Sequence, residues 1–219
     1  MFKIPDTYYQ NNEDYITLPV IREFVDKYLD GKFRRDTTRK ELLDGITTYA
    51  EQNEKHAEIV LSWIDDVLQE GIKDIYLQFM PLPEEMSVLF TSQENIEKRL
   101  AHLSSAPSQH ICMNQYGKNY VLVSAAYSKD EYERRITFTY CRKLYIHDKI
   151  KHRSKPIDYP VTADYFLDKD WLLVRAKPRS NLYQYEPDGF NLETATATTT
   201  EKEIRQVMQL VGATFGVKV

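Results

Sequence analysis

Between Arg134 and Arg179 the chain carries twelve Lys/Arg against five Asp, whereas the whole 219-residue sequence has a net charge of −4. The rest of the protein must therefore sum to about −11. The cations are Arg134, Arg135, Arg142, Lys143, Lys149, Lys151, Arg153, Lys155, Lys169, Arg175, Lys177 and Arg179, and Tyr140, Tyr145, Tyr159, Tyr165, Phe166 and Trp171 are interleaved with them. Cationic side chains follow phosphates and aromatic rings stack on bases, the combination that single-strand and RNA surfaces use. A basic block in an acidic protein points to a polyanionic partner: nucleic acid, or an acidic protein or membrane surface. Strand alternation would place Arg175, Lys177 and Arg179 on one face. The stretch from Ile146 to Ile157, with four Lys/Arg and one Asp, reads as a mobile basic arm. The competing explanation is a solvated outer sheet face whose charges discourage edge-to-edge pairing.

Residues able to break bonds are scattered. His56, His102, His110, His147 and His152 show no His-Glu-x-x-His spacing, and Cys112 and Cys141 belong to no paired-cysteine motif. In an extended strand Cys112 and His110 would share a face, but no oxyanion-hole glycines accompany them, so a buried thiol is the simpler role. Asp168 and Asp170 before Arg175-Ala176-Lys177 look superficially like a metal-nuclease pattern, yet an arginine occupies the place of the second carboxylate. Turn aspartates explain that pair sufficiently, and Asp65-Asp66 read as solvated helix residues. Gly117 and Gly216 are isolated and form no phosphate loop. The sequence thus implies no catalytic residue, no metal ligand and no cofactor, and points away from an enzyme.

Composition sets the class. With 42% hydrophobic and 12% aromatic residues the chain can bury a core, and 16 tyrosines against 7 glycines suit a strand-rich fold. Two cysteines in a chain of this length suggest reduced thiols. No apolar leader opens the sequence and no run is long enough to span a bilayer, so a soluble, cytoplasmic protein without membrane contact is expected.

The elements that must position the cations follow from periodicity. Thr17 heads a helix with Val20, Ile21, Phe24, Val25, Tyr28 and Leu29 on one face, stopped by Asp30-Gly31. Thr38 and Glu41 form a capping box for a second helix that buries Leu42, Leu43, Ile46, Tyr49 and Ala50. A third runs from about 55 to 70, carries Ile59, Val60, Trp63, Ile64, Val67 and Leu68, and stops at Gly71. Period-2 runs then predict strands at 74–80, 86–90, 111–115, 119–127, 134–145, 162–167, 171–177 and 181–185, with a short helix near 92–103. Short polar connections make neighbouring strands antiparallel. Thr200 and Glu203 read as a capping box for a last helix bearing Ile204, Val207, Met208 and Val211, and the apolar end from Phe215 could be a strand, in a chain that could be the front part of a longer protein.

The pattern Thr17-Leu18-Pro19-Val20-Ile21-Arg22-Glu23-Phe24-Val25, a basic link, and Thr38-Arg39-Lys40-Glu41-Leu42-Leu43 resembles the SAP-like helix–extended loop–helix module over residues 17–50. That family binds DNA through the loop and the start of its second helix. The resemblance implies phosphate contacts from Arg34, Arg35, Arg39 and Lys40, aided by the amides at the helix start. The family's usual glycine before the lysines is absent, Thr37-Thr38-Arg39-Lys40 standing there instead.

The expectation is an α+β protein: a helical N-terminal domain over 1–72, then an antiparallel sheet domain with a closing helix over 73–219. Its expected function is non-enzymatic nucleic-acid binding, DNA or RNA. Arg34, Arg35, Arg39 and Lys40 would form one surface, and Arg142, Lys143, Lys149, Lys151, Arg153, Lys155, Arg175, Lys177 and Arg179 the other. The alternatives are a protein-interaction or self-association module, in which acidic helices of one copy meet the basic sheet of another, and a nuclease.

Overall fold

The computed structural model describes residues 2–9, 15–29, 33–34, 36–70, 73–131 and 133–218. The fold is α+β: helices first, then antiparallel strands, then a C-terminal helix. The chain divides into two compact units, Met1–Gly71 and Ile72–Val219.

The first unit holds α1 (Leu18–Tyr28), α2 (Arg39–Ala50) and α3 (Glu54–Gln69). Thr17 stands at the N-cap position of α1 without a side-chain capping hydrogen bond, and Pro19 lies in the first turn, where a missing N–H costs nothing. The capping box of α2 is present in full: the Glu41 amide donates to Thr38 Oγ1 and the Thr38 amide to Glu41 Oε2. Leu42, Leu43, Ile46, Tyr49 and Ala50 are all buried, as helical spacing required. Asn53 starts α3 by accepting the His56 amide. The stops expected at Asp30-Gly31 and Gly71 lie outside the described residues. Gly45 permits a close approach: a Cβ there would meet the Phe33 ring at 2.4 Å and require that ring to move.

The second unit is built on a seven-stranded antiparallel sheet. Its strands are β1 (Asp74–Phe79), β2 (Val121–Lys129), β3 (Arg134–Asp148), β4 (Arg153–Phe166), β5 (Trp171–Ala176), β6 (Leu182–Gln184) and β7 (Ala197–Thr198). Order across the sheet is β1-β5-β4-β3-β6-β7, with β2 also paired to β3. Short α4 (Glu84–Ser87) and α5 (Gln93–Leu100) follow β1, and α6 (Thr200–Thr214) closes the unit.

Alternation sorts the long hairpin into two faces. Ile136, Phe138, Tyr140 and Leu144 of β3, with Ile157, Tyr159, Val161, Ala163 and Tyr165 of β4, form the inner face. Ile204, Val207, Met208 and Val211 of α6, Ile96 and Leu100 of α5, and Phe215 complete this core. Burial of such side chains is the main stabilising term, about 1.5–3 kcal/mol each.

Four sequence expectations are corrected. Residues 86–90 are helical, because Pro83 and the acidic pair Glu84-Glu85 favour a helix start over a strand. Residues 111–113 form a 3₁₀ turn, since the Asn114 side chain accepts the Ser108 amide and donates to Ser108 and His110 carbonyls in place of a ladder. The cap of α6 is Thr199, whose hydroxyl accepts the Lys202 amide, while Glu203 points into the core. The end of the chain from Phe215 is a helix stop: Gly216 has φ 69°, its amide donates to Ala213, and the Val217 amide donates to Gly212.

β1 is an edge strand that turns Ile75 (61% exposed), Leu77 (57%) and Phe79 (58%) outward. Exposed apolar edges invite intermolecular pairing. Leu77→Lys is expected to change unfolding free energy by no more than about 0.5 kcal/mol and to suppress aggregation at high concentration. Chemical denaturation and light scattering check this, and a large stability loss would show that Leu77 is covered in solution.

Candidate nucleic-acid interface

Strand pairing between β3 and β4 runs from Arg135↔Phe166 to Asp148↔Arg153. The stretch expected as a mobile arm is therefore the end of a 14-position hairpin ladder, and its connecting loop is only residues 149–152. Pairing wins because Ile146 and Ile157 sit at inner-face positions of a continuous alternation, which an arm would leave in water. Asp148 fixes the turn. Its Oδ1 accepts the amides of Ile150 (2.9 Å) and Lys151 (3.0 Å), and those bonds hold its carboxyl below the usual carboxylate range. His152 completes the turn at φ 48°.

This loop projects cations into solvent. Lys149, Lys151 and Arg153 are exposed, and Ile150 is 91% exposed at the tip, whereas Lys155 is half-buried with its Nζ enclosed. Asp148 is the one acid among residues 148–153, which with Lys149, Lys151 and Arg153 leaves an excess of two positive charges. Lys151 lies 3.9 Å from the Asp148 carboxylate, a loose exposed pair worth little in water.

Beside the loop, on the outer face, five rings converge. Tyr145 stacks on Tyr185 with centroids 5.2 Å apart and meets Phe190 at 5.1 Å. His147 stacks on Phe190 at 5.9 Å, and Tyr183 meets Phe190 edge-on at 5.4 Å. Tyr145 and His147 are buried, whereas Tyr183, Tyr185 and Phe190 are half-exposed. Pairing of Tyr145 with Tyr183 brings β6 to this end of β3. Lys143 lies 5.6 Å from the centre of the Tyr185 ring and 3.9 Å from Asp158. His147 Nδ1 is 2.8 Å from Ser154 Oγ, which ties the cluster to β4.

The other candidate cations go elsewhere. Arg142 has inner-face parity and is 5% exposed; it pairs with Glu203 at 2.5 Å and donates to the Lys118 carbonyl at 3.1 Å. It is a structural cation inside the sheet domain and is not available to a partner. Arg175 pairs with Asp164 at 3.0 Å, two strands away from the hairpin cluster. Lys177 and Arg179 follow β5 in the segment that leads to β6: the Tyr159 hydroxyl donates to the Lys177 carbonyl, and the Arg179 amide to Thr200 Oγ1. Arg134 and Lys169 pair with Asp168 and Glu133. Arg134, Arg142, Lys169 and Arg175 are thus paired within the fold, Arg142 and Lys169 with acids from outside the Arg134–Arg179 stretch.

In the first unit, Arg34 and Lys40 are exposed, and Arg35 lies outside the described residues. Arg39 points back to the N-terminal segment, donating to the Tyr9 carbonyl at 2.7 Å. At the start of α2 the capping box engages the Thr38 and Glu41 amides and sets the Glu41 carboxylate, a negative charge, beside the helix start.

Of the interleaved aromatics, Tyr140, Tyr159 and Tyr165 are core residues. Sequence reading missed His147, Tyr183, Tyr185 and Phe190. The alternation Tyr183-x-Tyr185 was the available signal for the middle pair; Phe190 arrives through a loop and had none. Cys112 is half-buried in the 3₁₀ turn, and the buried thiol is Cys141, whose pKa burial raises well above its ordinary value. Among the described residues no helix is long and apolar enough to cross a membrane, and no group of three or more His, Cys, Asp or Glu is placed to hold a metal ion. Compared with family models, curated proteins and solved structures, the chain matches none.

Proposed function

We propose that the protein is a non-enzymatic binding module whose β3–β4 hairpin end contacts single-stranded nucleic acid. The observation that supports this reading most is the half-exposed ring cluster Tyr183, Tyr185 and Phe190 near the cations Lys143, Lys149, Lys151 and Arg153; Lys155 is left out because its Nζ is buried on the inner-face side with Ile146. The cations would follow phosphates, and the rings would accept unstacked bases. Arg142 and Arg175 are left out because their charges are matched inside the fold. The SAP-like reading of residues 17–50 is secondary, resting on Arg34 and Lys40, since Arg39 is engaged by the Tyr9 carbonyl and the Glu41 carboxylate at the helix start repels a phosphate.

Fluorescence anisotropy of labelled single- and double-stranded DNA and RNA over a salt series tests it. The triple variant Lys149→Ala, Lys151→Ala, Arg153→Ala is expected to keep its fold and to flatten the salt dependence by about one slope unit per lost phosphate contact. Tyr185→Ala with Phe190→Ala is expected to weaken single-strand binding selectively, by roughly 1–3 kcal/mol per stacked base. Absence of binding at low salt, or binding indifferent to both variants, would overturn the proposal.

A further inference from the structure

In the first unit α1 and α3 both pack on α2 and leave a groove of about 570 Å³ between them. Its floor is aromatic: Phe24 and Trp63 have centroids 4.7 Å apart, and Tyr28 lies 4.7 Å from Phe24. Val20, Ile59 and Val67 add aliphatic surface. The rim is acidic. Glu23 on α1 and Glu58, Asp66 and Glu70 on α3 line it with Lys27, the one cation among the described lining residues, and all five are exposed. Ile59, Trp63 and Val67 recur at four-residue spacing on α3 and are only half-buried, so this side of the helix bundle is unfinished.

The charges crowd one another. Partial burial, then the neighbouring Glu70, raises the Asp66 pKa, and Lys27 relieves this in part. Lys27 Nζ also sits 4.9 Å from the centre of the Tyr28 ring, so one wall already holds an ammonium group against an aromatic face. The unit is acidic throughout, with nine Lys/Arg against fifteen Asp/Glu in residues 1–71.

We infer that the α1–α3 groove binds a basic amphipathic helical segment of a partner protein, which lays apolar side chains on Tyr28 and Trp63 and sets cations against Glu58, Asp66 and Glu70. At a rise of about 1.5 Å per residue the lining of α3 from 58 to 70 is about 18 Å long, room for roughly three helical turns. The acids at 58, 66 and 70 are spaced by multiples of four, about 12 and 6 Å apart along the axis. The segment that fits carries Lys or Arg at four-residue intervals beside an apolar stripe, a helix-in-groove mode that completes the bundle. This site is separate from the hairpin and does not depend on the nucleic-acid reading.

The test uses the full chain with Trp171→Phe, which leaves Trp63 as the sole tryptophan and a reporter inside the groove. The probe is an amidated 15-residue Lys/Leu peptide with lysine at every fourth position; the control is the same peptide with glutamate for lysine. The expected result is a saturable change in Trp63 emission with the lysine peptide only, weakened by high salt. Glu58→Lys with Asp66→Lys is expected to weaken binding roughly tenfold or more. Asp44→Lys with Glu51→Lys, equal in charge but outside the groove, is expected to leave it unchanged. Equal response to the glutamate peptide, insensitivity to the groove reversal, or equal loss from both reversals would overturn the inference. Sedimentation without peptide provides a further check: self-association abolished by the groove reversal would assign the groove to a second copy and overturn the partner reading.

Discussion

Glu203→Ala is expected to lower the unfolding free energy of the sheet domain by about 3–5 kcal/mol. Glu203 is 1% exposed and receives three side chains at once: Arg142 and Thr198 donate to Oε1, and the Tyr120 hydroxyl to Oε2 at 2.8 Å. Deleting the carboxylate leaves a buried guanidinium without its counter-charge and two hydroxyls without an acceptor. Among the described residues the guanidinium would keep the Lys118 carbonyl at 3.1 Å and the Tyr120 ring at 4.9 Å. Neither contact neutralises it, so the cost is set by an orphaned charge in a low-dielectric interior. Urea unfolding followed by circular dichroism reads the effect as a shift in midpoint. Arg142→Ala should cost a comparable amount. The double variant should cost clearly less than the two singles added, because the second deletion removes the charge that the first left unpaired. Additive losses would show that the pair is not coupled. Nucleic-acid binding by surviving folded protein should be unaffected by Arg142→Ala, because this cation does not reach the surface.

Phe215→Ala is expected to be about as damaging, roughly 3–5 kcal/mol, for a different reason. The ring is fully buried and touches three others: Phe90 at 5.3 Å, Phe138 at 5.7 Å and Tyr165 at 5.0 Å between centroids. It therefore joins the end of α6 to β3, β4 and the helical turn after β1, and its removal opens a cavity where these elements meet. Phe215→Leu should recover much of the loss by refilling the space. Gly216→Ala, next to it, should cost only about 1 kcal/mol, from forcing a Cβ into the left-handed region at φ 69°. A Phe215→Ala protein that unfolds at the wild-type midpoint would mean that the C-terminal turn is not docked in solution.

The sequence by itself determined whatever depends on neighbours within a few residues. The capping box at Thr38 and Glu41, the buried face of α2, the apolar side of α6 and the antiparallel hairpins are local consequences of hydrogen-bond geometry and period. Alternation even states that Arg142 and Lys143 point to opposite faces. Which cations remain available depends on contacts made across the fold. Arg142 is matched by Glu203, 61 positions away, and Arg175 by Asp164 across the β4–β5 ladder. A linear tally of Lys and Arg cannot see such partners, because electrostatic neutralisation depends on distance in space and solvent access. The ring cluster at the hairpin end has the same origin. Tyr145 and His147 are separated from Phe190 by more than forty residues of chain, and β3–β6 pairing with the loop that follows brings them together. The acidic groove was hidden for the opposite reason. Ile59, Trp63 and Val67 have the spacing of core residues, and they are half-buried only because α1 and α3 pack on α2 and part along that side.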